Sequence, residues 1–403
     1  MDQRVVITGL GVASAAGLGT RTLADSLRRG TSRIGDLTLF DPADAATTLA
    51  AEVPEFDVEE YTLARKTYLD RASQLAFAAM RLALSDGGLE PEDVAGDDAD
   101  LLLGSATGSQ TTSQLFFEGL LEKGPRFVKP LLFPHTYSNT AISLLAIEYK
   151  LSGYHLTLAS GVNAGSQAVM QAADRIRTGK STLAFAGGYE ALSEYLFFGC
   201  DLAGWTSRAT DDRPEGSRPF ARDRNGFVLG EGAGILVLEA ADHAAARGAP
   251  AKAEIAAIST GSCNGGSDGL ERVIRDALAR AACAPGDVDW ICAGANGTPA
   301  TDAWELEALE TVFGNASRAV PVSSIKPLIG ETLGASGPLQ LASACTALET
   351  GSLPALPPTE TSLPDSPLTF VTGQPASATP GTVLVNTIDP GGSCVSYLVR
   401  KSG

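Results

Sequence analysis

Short runs of consecutive apolar residues alternate along the chain with longer stretches in which apolar positions recur every three or four residues, and glycines stand at many junctions. Consecutive apolar runs of this length read as strands buried on both faces, and the three-to-four spacing reads as helices with one covered face. Residues 4–11 predict a buried strand ending in a glycine turn, followed by a helix over about 20–29. An amphipathic helix is expected over 70–87, with Leu75, Ala79, Leu82 and Ala83 as its stripe, Asp70 as cap, and Gly87-Gly88 as its stop. Residues 101–104 and 182–186 read as strands, 139–151 as helix, 130–138 as loop, and 187–191 as a glycine turn. Residues 105–124 are rich in Ser, Thr, Gly and Gln yet carry Leu115, Phe116, Phe117, Leu120 and Leu121, a pattern that suits internal packing or part of an interface or pocket wall. A charged, glycine-rich loop feeds a strand over 234–238. A second series follows: strands at 255–259, 290–293 and 320–323, helices at 269–282, 302–313 and 335–350, and closing strands at 383–386 and 395–400. The repeated order of strand, glycine turn and helix predicts a duplicated α/β unit with a mixed sheet in each half.

The stretch from Leu156 to Ala168 (Leu-Thr-Leu-Ala-Ser-Gly-Val-Asn-Ala-Gly-Ser-Gln-Ala) turns an apolar run sharply, through small residues, into a helix-like segment over 167–177. A side chain at such an apex sits where free N–H groups and the helix dipole stabilise a thiolate or an oxyanion. The apex here holds Gly161, Val162 and Asn163, none of which is a nucleophile.

Composition narrows the function. The 403 residues are 44% hydrophobic and 19% charged, enough to bury a large core, and the formal net charge is -17. That acidity, with no long Lys/Arg run, argues against nucleic acid and anionic membranes as partners. No run of about 18 apolar residues appears and the first residues lack signal-peptide character, so a cytoplasmic location is expected. Cys200, Cys263, Cys283, Cys292, Cys345 and Cys394 are scattered without a C-x-x-C pair, which predicts buried free thiols, with no structural metal. Gly9 and Gly11 lack the third glycine of a dinucleotide loop, and no cofactor is expected.

Several motifs in fixed order carry a more specific resemblance. They are residues 4–12 (Arg-Val-Val-Ile-Thr-Gly-Leu-Gly-Val), Ser217-Arg-Pro-Phe, residues 223–234 (Asp-Arg-Asn-Gly-Phe-Val-Leu-Gly-Glu-Gly-Ala-Gly), residues 324–330 (Ser-Ile-Lys-Pro-Leu-Ile-Gly), Gly334-Ala-Ser-Gly337 and Pro357-Pro-Thr359. Over essentially its whole length the chain resembles the β-ketoacyl synthases of fatty acid and polyketide synthesis. The resemblance implies a thiolase-like α/β fold in five layers, αβαβα, with two duplicated halves, 1–250 and 251–403, each holding a mixed five-stranded sheet.

The resemblance also marks what has changed. Enzymes of this family carry an acylated cysteine three residues before the glycine matching Gly165, and Val162 stands there. Their H-G-T histidine is replaced in Asn296-Gly297-Thr298, followed at shortened spacing by Asp302 and Glu305. Their second histidine is replaced by Glu331, and the lysine is retained as Lys326. The closing N-S-F-G-F-G-G loop reads Asn386-Thr-Ile-Asp-Pro-Gly-Gly392, with Ile388 at the gate; Pro390 has a fixed φ and no N–H, which predicts a stiffer loop.

Loss of these groups on a retained scaffold resembles the chain-length factors (KSβ), which pair with a catalytic ketosynthase in type II polyketide systems; Val162 makes an atypical member, since Gln is usual there. The resemblance implies a heterodimer subunit with no catalytic residue of its own, completing the partner's acyl tunnel and setting polyketide length, the product being of reduced or polyene type. Its tunnel positions would be Gln110, Thr112, Ser113, Phe116, Phe133 and Ile388, within or near an interface over 105–151. Acyl carrier protein, itself acidic, would be delivered through the partner, with Arg28, Arg29, Arg33 or Arg175, Arg177, Lys180 as local exceptions. Two alternatives stay open: residual malonyl decarboxylase or acyltransferase activity with Glu331 as base, and an inactive homodimeric scaffold. Glu331 is also expected to form a buried ion pair with Lys326 or another cation.

Overall fold

A computed structural model describes residues 3–43, 45–211, 213–314, 316, 320–357, 363 and 365–402; Pro358 and Thr359 of the Pro357-Pro-Thr359 motif lie outside the described residues. Five strands build the first half: β1 (Val5–Ser14), β2 (Ala99–Gly104), β3 (His155–Leu158), β4 (Leu183–Glu190) and β5 (Gly232–Ala240). Five more build the second: β6 (Ala253–Ser262), β7 (Trp290–Cys292), β8 (Pro321–Ser323), β9 (Thr382–Ile388) and β10 (Ser393–Arg400). The spatial orders, β3-β2-β4-β5-β1 and β8-β7-β9-β10-β6, are the same order twice. Pairing senses also repeat. In each half the two pairings nearest the first strand are antiparallel and the other two parallel. The sheets are joined edge to edge where Val6 pairs Glu254 and Ile7 pairs Ala253, and a short strand, Thr369–Phe370, extends the second beside β8.

Between the sheets lie two helices, Ala164–Arg177 and Ser336–Thr350; every residue from Ser336 to Leu348 is buried. Alternate strand residues explain the continuous apolar runs. Leu102, Leu236, Leu238, Val383 and Val385 face these helices, whereas Leu101, Leu103, Ile235 and Val237 face the outer helices of the first half. Leu384 and Leu398 do the same against Ser267–Arg280 and Pro299–Phe313 in the second. Each such fully buried Leu contributes about 1.5–3 kcal/mol. The result is the five-layered αβαβα arrangement.

Asp70 caps the Arg71–Asp86 helix by accepting from the Ser73 N–H at 3.0 Å, as expected. Residues 187–191 are not a turn, because β4 continues to Glu190. Gly187 and Gly188 serve close approach: a Cβ would lie 1.9 Å from the Gly234 carbonyl oxygen at the first and 2.1 Å from that of Gly334 at the second. The first central helix begins at Ala164, earlier than 167, after a tight turn over Gly161–Asn163. Residues 130–138, expected as loop, hold a tight helical turn over Pro130–Thr136. All six cysteines are buried free thiols. Among the described residues no helix is long and apolar enough to cross a membrane.

Candidate functional site

The site forms where the heads of the two central helices meet. Gly161 has φ 72°, a left-handed conformation that glycine adopts without strain, and a Cβ there would come within 2.3 Å of Asp389 Oδ2. Val162 follows, 8% exposed, with only an isopropyl group at the apex. Its N–H donates to Asp389 Oδ2 at 2.7 Å. Asn163 donates from Nδ2 to the Ser393 carbonyl at 2.8 Å and to Ser393 Oγ at 2.9 Å, which holds the turn against β10.

Asp389 stands in the hairpin between β9 and β10. The Gly392 N–H donates to the Asp389 carbonyl at 2.7 Å, and the Gly391 N–H donates to Asp389 Oδ1 at 2.6 Å. Pro390 supplies the first central position of this turn, and Gly392, at φ 95°, the left-handed residue after it. Ile388 is the last residue of β9 and is buried in the outer core of the second half.

Lys326, Asn296 and Glu331 form one buried cluster. A backbone bridge fixes Glu331: its N–H donates to Val228 at 2.8 Å and its carbonyl accepts from Gly230 at 2.9 Å. Both of its carboxylate oxygens lie 3.0 Å from Lys326 Nζ, the ion pair expected from the sequence. Oε2 also accepts from Asn296 Nδ2 at 2.8 Å; Oε1 accepts from the Leu333 N–H at 2.9 Å and from the Ser336 hydroxyl. The Asn296 Oδ1 in turn accepts from the Thr298 N–H at 2.9 Å. Both oxygens of the Glu331 carboxylate and both the oxygen and the nitrogen of the Asn296 amide have partners inside the protein.

Three more carboxylates brace the site. Asp302 accepts from the N–H groups of Phe220 (2.9 Å), Asn296 (3.0 Å) and Gly297 (3.1 Å). Glu305 accepts from Gly294 (3.0 Å), Ala295 (2.8 Å) and Asn386 Nδ2 (3.0 Å). Burial pushes Asp302 up to about 6 and Glu305 up to about 7. Glu190, unremarked in the sequence reading, accepts from the N–H groups of Ala106 (2.6 Å), Thr107 (3.1 Å) and Gly334 (3.2 Å), and burial raises its pKa. Its signal was a glutamate ending an apolar strand after two glycines. Among the described residues no three His, Cys, Asp or Glu side chains converge as a metal site requires.

Of the positions named for the tunnel, Ile388 ends β9 beside this cluster and packs in the outer core of the second half, and the others fall on the Gln110–Lys123 helix and its neighbours. Gln110 donates to the Thr107 carbonyl at 3.0 Å, Thr112 is buried with its hydroxyl 2.8 Å from Tyr68 Oη, and Ser113 donates to the carbonyls of Ser109 (3.1 Å) and Thr136 (3.3 Å). Phe116 and Phe133 lie side by side, ring centroids 5.6 Å apart, and Phe133 meets Tyr137 at 5.4 Å. Leu115, Phe117, Leu121, Phe127, Leu131 and Ile147 are exposed around them. Of the cations weighed for docking, Arg175 is spent on Asp100 (2.6 Å) and on the Tyr154 ring (3.9 Å), and Arg28 pairs with Asp25 (2.6 Å).

The fold and the position of this cluster define a class, and comparison with known proteins agrees. The chain belongs to the β-ketoacyl synthase family: residues 2–244 match its N-terminal domain and 247–360 its C-terminal domain. It is 31% identical over 410 residues to a 3-oxoacyl-[acyl-carrier-protein] synthase 2 of Synechocystis, covering 99% of this chain and 98% of that one. It is 33% identical over 386 residues to the tetracenomycin polyketide synthase ketoacyl synthase alpha subunit of Streptomyces glaucescens, covering 92% and 90%. Among solved structures, the ishigamide ketosynthase/chain length factor superposes with a TM-score of 0.91 at 30% identity, over 100% of both chains.

Proposed function

We propose that this chain is a non-catalytic ketosynthase-like subunit that pairs with a catalytic ketosynthase, completes its acyl tunnel and sets the length of a polyketide. The observation that carries this reading is the apex of the first central helix. Acyl transfer to the protein needs a nucleophile there, and the side chain is the hydrocarbon of Val162. The engaged state of Glu331 supports it and speaks against the malonyl decarboxylase or acyltransferase alternative, since a general base needs a free lone pair.

Pairing is supported by the surface. Leu121, Phe127 and Ile147 are 84%, 72% and 73% exposed, and the edge strand β3 pairs on one side with β2 while no described strand covers the other. Exposed apolar side chains and an unpaired strand edge are both surfaces that a second subunit would bury. The tunnel wall is assigned to Gln110, Ser113, Phe116 and Phe133, with Thr112 supporting it from within the chain, and the gate position to Ile388. Acyl carrier protein is assigned to the partner's face. Co-expression with a catalytic ketosynthase tests the reading: a stable 1:1 complex burying more than about 2,000 Å² is expected. Isolation of this chain as a stable monomer in the presence of that partner would refute it.

A further inference from the structure

The duplication places two carboxylates in corresponding positions. In the first half Leu102 pairs Ala186, and in the second Cys292 pairs Val385; all four face the central layer. Four residues beyond Ala186 stands Glu190, and four beyond Val385 stands Asp389. Each central helix is preceded by a three-residue turn, Gly161–Asn163 or Leu333–Ala335, with Val162 and Gly334 as the middle residues. Glu190 Oε2 accepts from the Gly334 N–H at 3.2 Å, and Asp389 Oδ2 accepts from the Val162 N–H at 2.7 Å. The turns themselves touch, because a Cβ on Gly165 would lie 2.2 Å from the Gly334 carbonyl oxygen.

We propose that Asp389 is a resident occupant of the N–H donor at the head of the Ala164–Arg177 helix, the counterpart of Glu190 at the other helix, and holds that donor closed to a thioester carbonyl. A carboxylate on an N–H at a helix N-terminus forms a charge-assisted bond that a neutral carbonyl oxygen does not match. The hairpin keeps the carboxylate in place, since its other oxygen is held by the Gly391 N–H and the Cys263 N–H donates to the Gly392 carbonyl at 2.6 Å. Restoring a thiol at the apex therefore does not restore the site. The thiol would ionise beside a fixed negative charge, which opposes the helix dipole that normally favours a thiolate.

The test needs no partner subunit, so it succeeds or fails separately from the pairing proposed above. Iodoacetamide alkylation is followed from pH 5.5 to 9 in Val162→Cys, Val162→Cys/Asp389→Asn and Val162→Cys/Asp389→Gly. Mass spectrometry of the peptide containing position 162 separates the introduced thiol from the six buried native cysteines. The expected result is a midpoint at least one pH unit lower in the double variants, hence about tenfold faster labelling at pH 7 at a similar plateau. Equal midpoints in all three proteins would overturn the proposal. A second measurement avoids the engineered thiol: exchange of the Val162 amide proton in otherwise native protein should quicken about tenfold or more in Asp389→Gly, relative to amides deeper in the same helix. Unchanged protection would overturn it equally.

Discussion

The buried cluster at the helix heads and the exposed face around the Gln110–Lys123 helix stand in opposite states. At the cluster, the N–H of Val162, both oxygens of Glu331 and both ends of the Asn296 amide are satisfied within the chain. On the face, large apolar groups such as Leu121 and Phe127 meet solvent, and a strand edge is unpaired. The protein has closed the groups where chemistry would occur and left open a surface where another chain would fit. The difference is what the proposed role, a subunit that shapes its partner's site, would require.

The largest expected effect probes the closed region. Lys326→Ala leaves the Glu331 carboxylate buried without its cation and should cost about 3–5 kcal/mol in urea unfolding, whereas Lys326→Met/Glu331→Leu should cost much less. Comparable losses in the two proteins would show that the ion pair is not a closed unit. Next is a pH effect. Burial holds the Glu305 carboxyl up at about 7 against an ordinary 4.5, so the folded state binds the extra proton between those values. Stability from this group is complete below about pH 4.5 and is lost as pH rises through 7, by roughly 3 kcal/mol. Glu305→Gln should flatten that slope, as seen in unfolding midpoints at pH 5 and 7.5, and an unaltered slope would place the proton elsewhere.

On the open face, Leu121→Asp should weaken pairing with a ketosynthase by about 2 kcal/mol or more while shifting the stability of the lone chain by less than about 0.5 kcal/mol. Loss of stability without loss of pairing would reverse the assignment of the two regions. The smallest free-energy effect is expected from Ser113→Phe, which should shorten the product made by the complex while leaving the first extension near its original rate. A slowed first extension would mean that Ser113 does not line the far part of a tunnel.

Much of this contrast was legible in the residues. The duplicated α/β unit with a mixed sheet in each half followed from apolar runs separated by helical spacing, whereas the five-layered αβαβα arrangement and the buried ion pair of Glu331 came with the family resemblance. The motif order carried the family. What stayed hidden depends on contacts between distant residues. Val162 and Asp389 are 227 residues apart, and no local pattern announces that one carboxylate will cap the other's N–H. Gly187 and Gly188 read as a turn because glycine is the usual turn residue; in the fold they are strand positions where two backbones come too close for a Cβ. Residues 105–124 could not be assigned to core or surface, because their apolar positions at 115, 116, 117, 120 and 121 wrap around more than one helix face.

The central claim, that this chain shapes the site of a partner and carries out no condensation itself, is tested most directly in the reconstituted pair. Condensation of an acyl chain with malonyl units on acyl carrier protein is measured for the native complex and for one in which the partner's nucleophilic cysteine is changed to alanine. The account predicts extended product from the first and none from the second, with no acyl label on this chain in either. Product from the second complex, or a covalent acyl group on this chain, would contradict it.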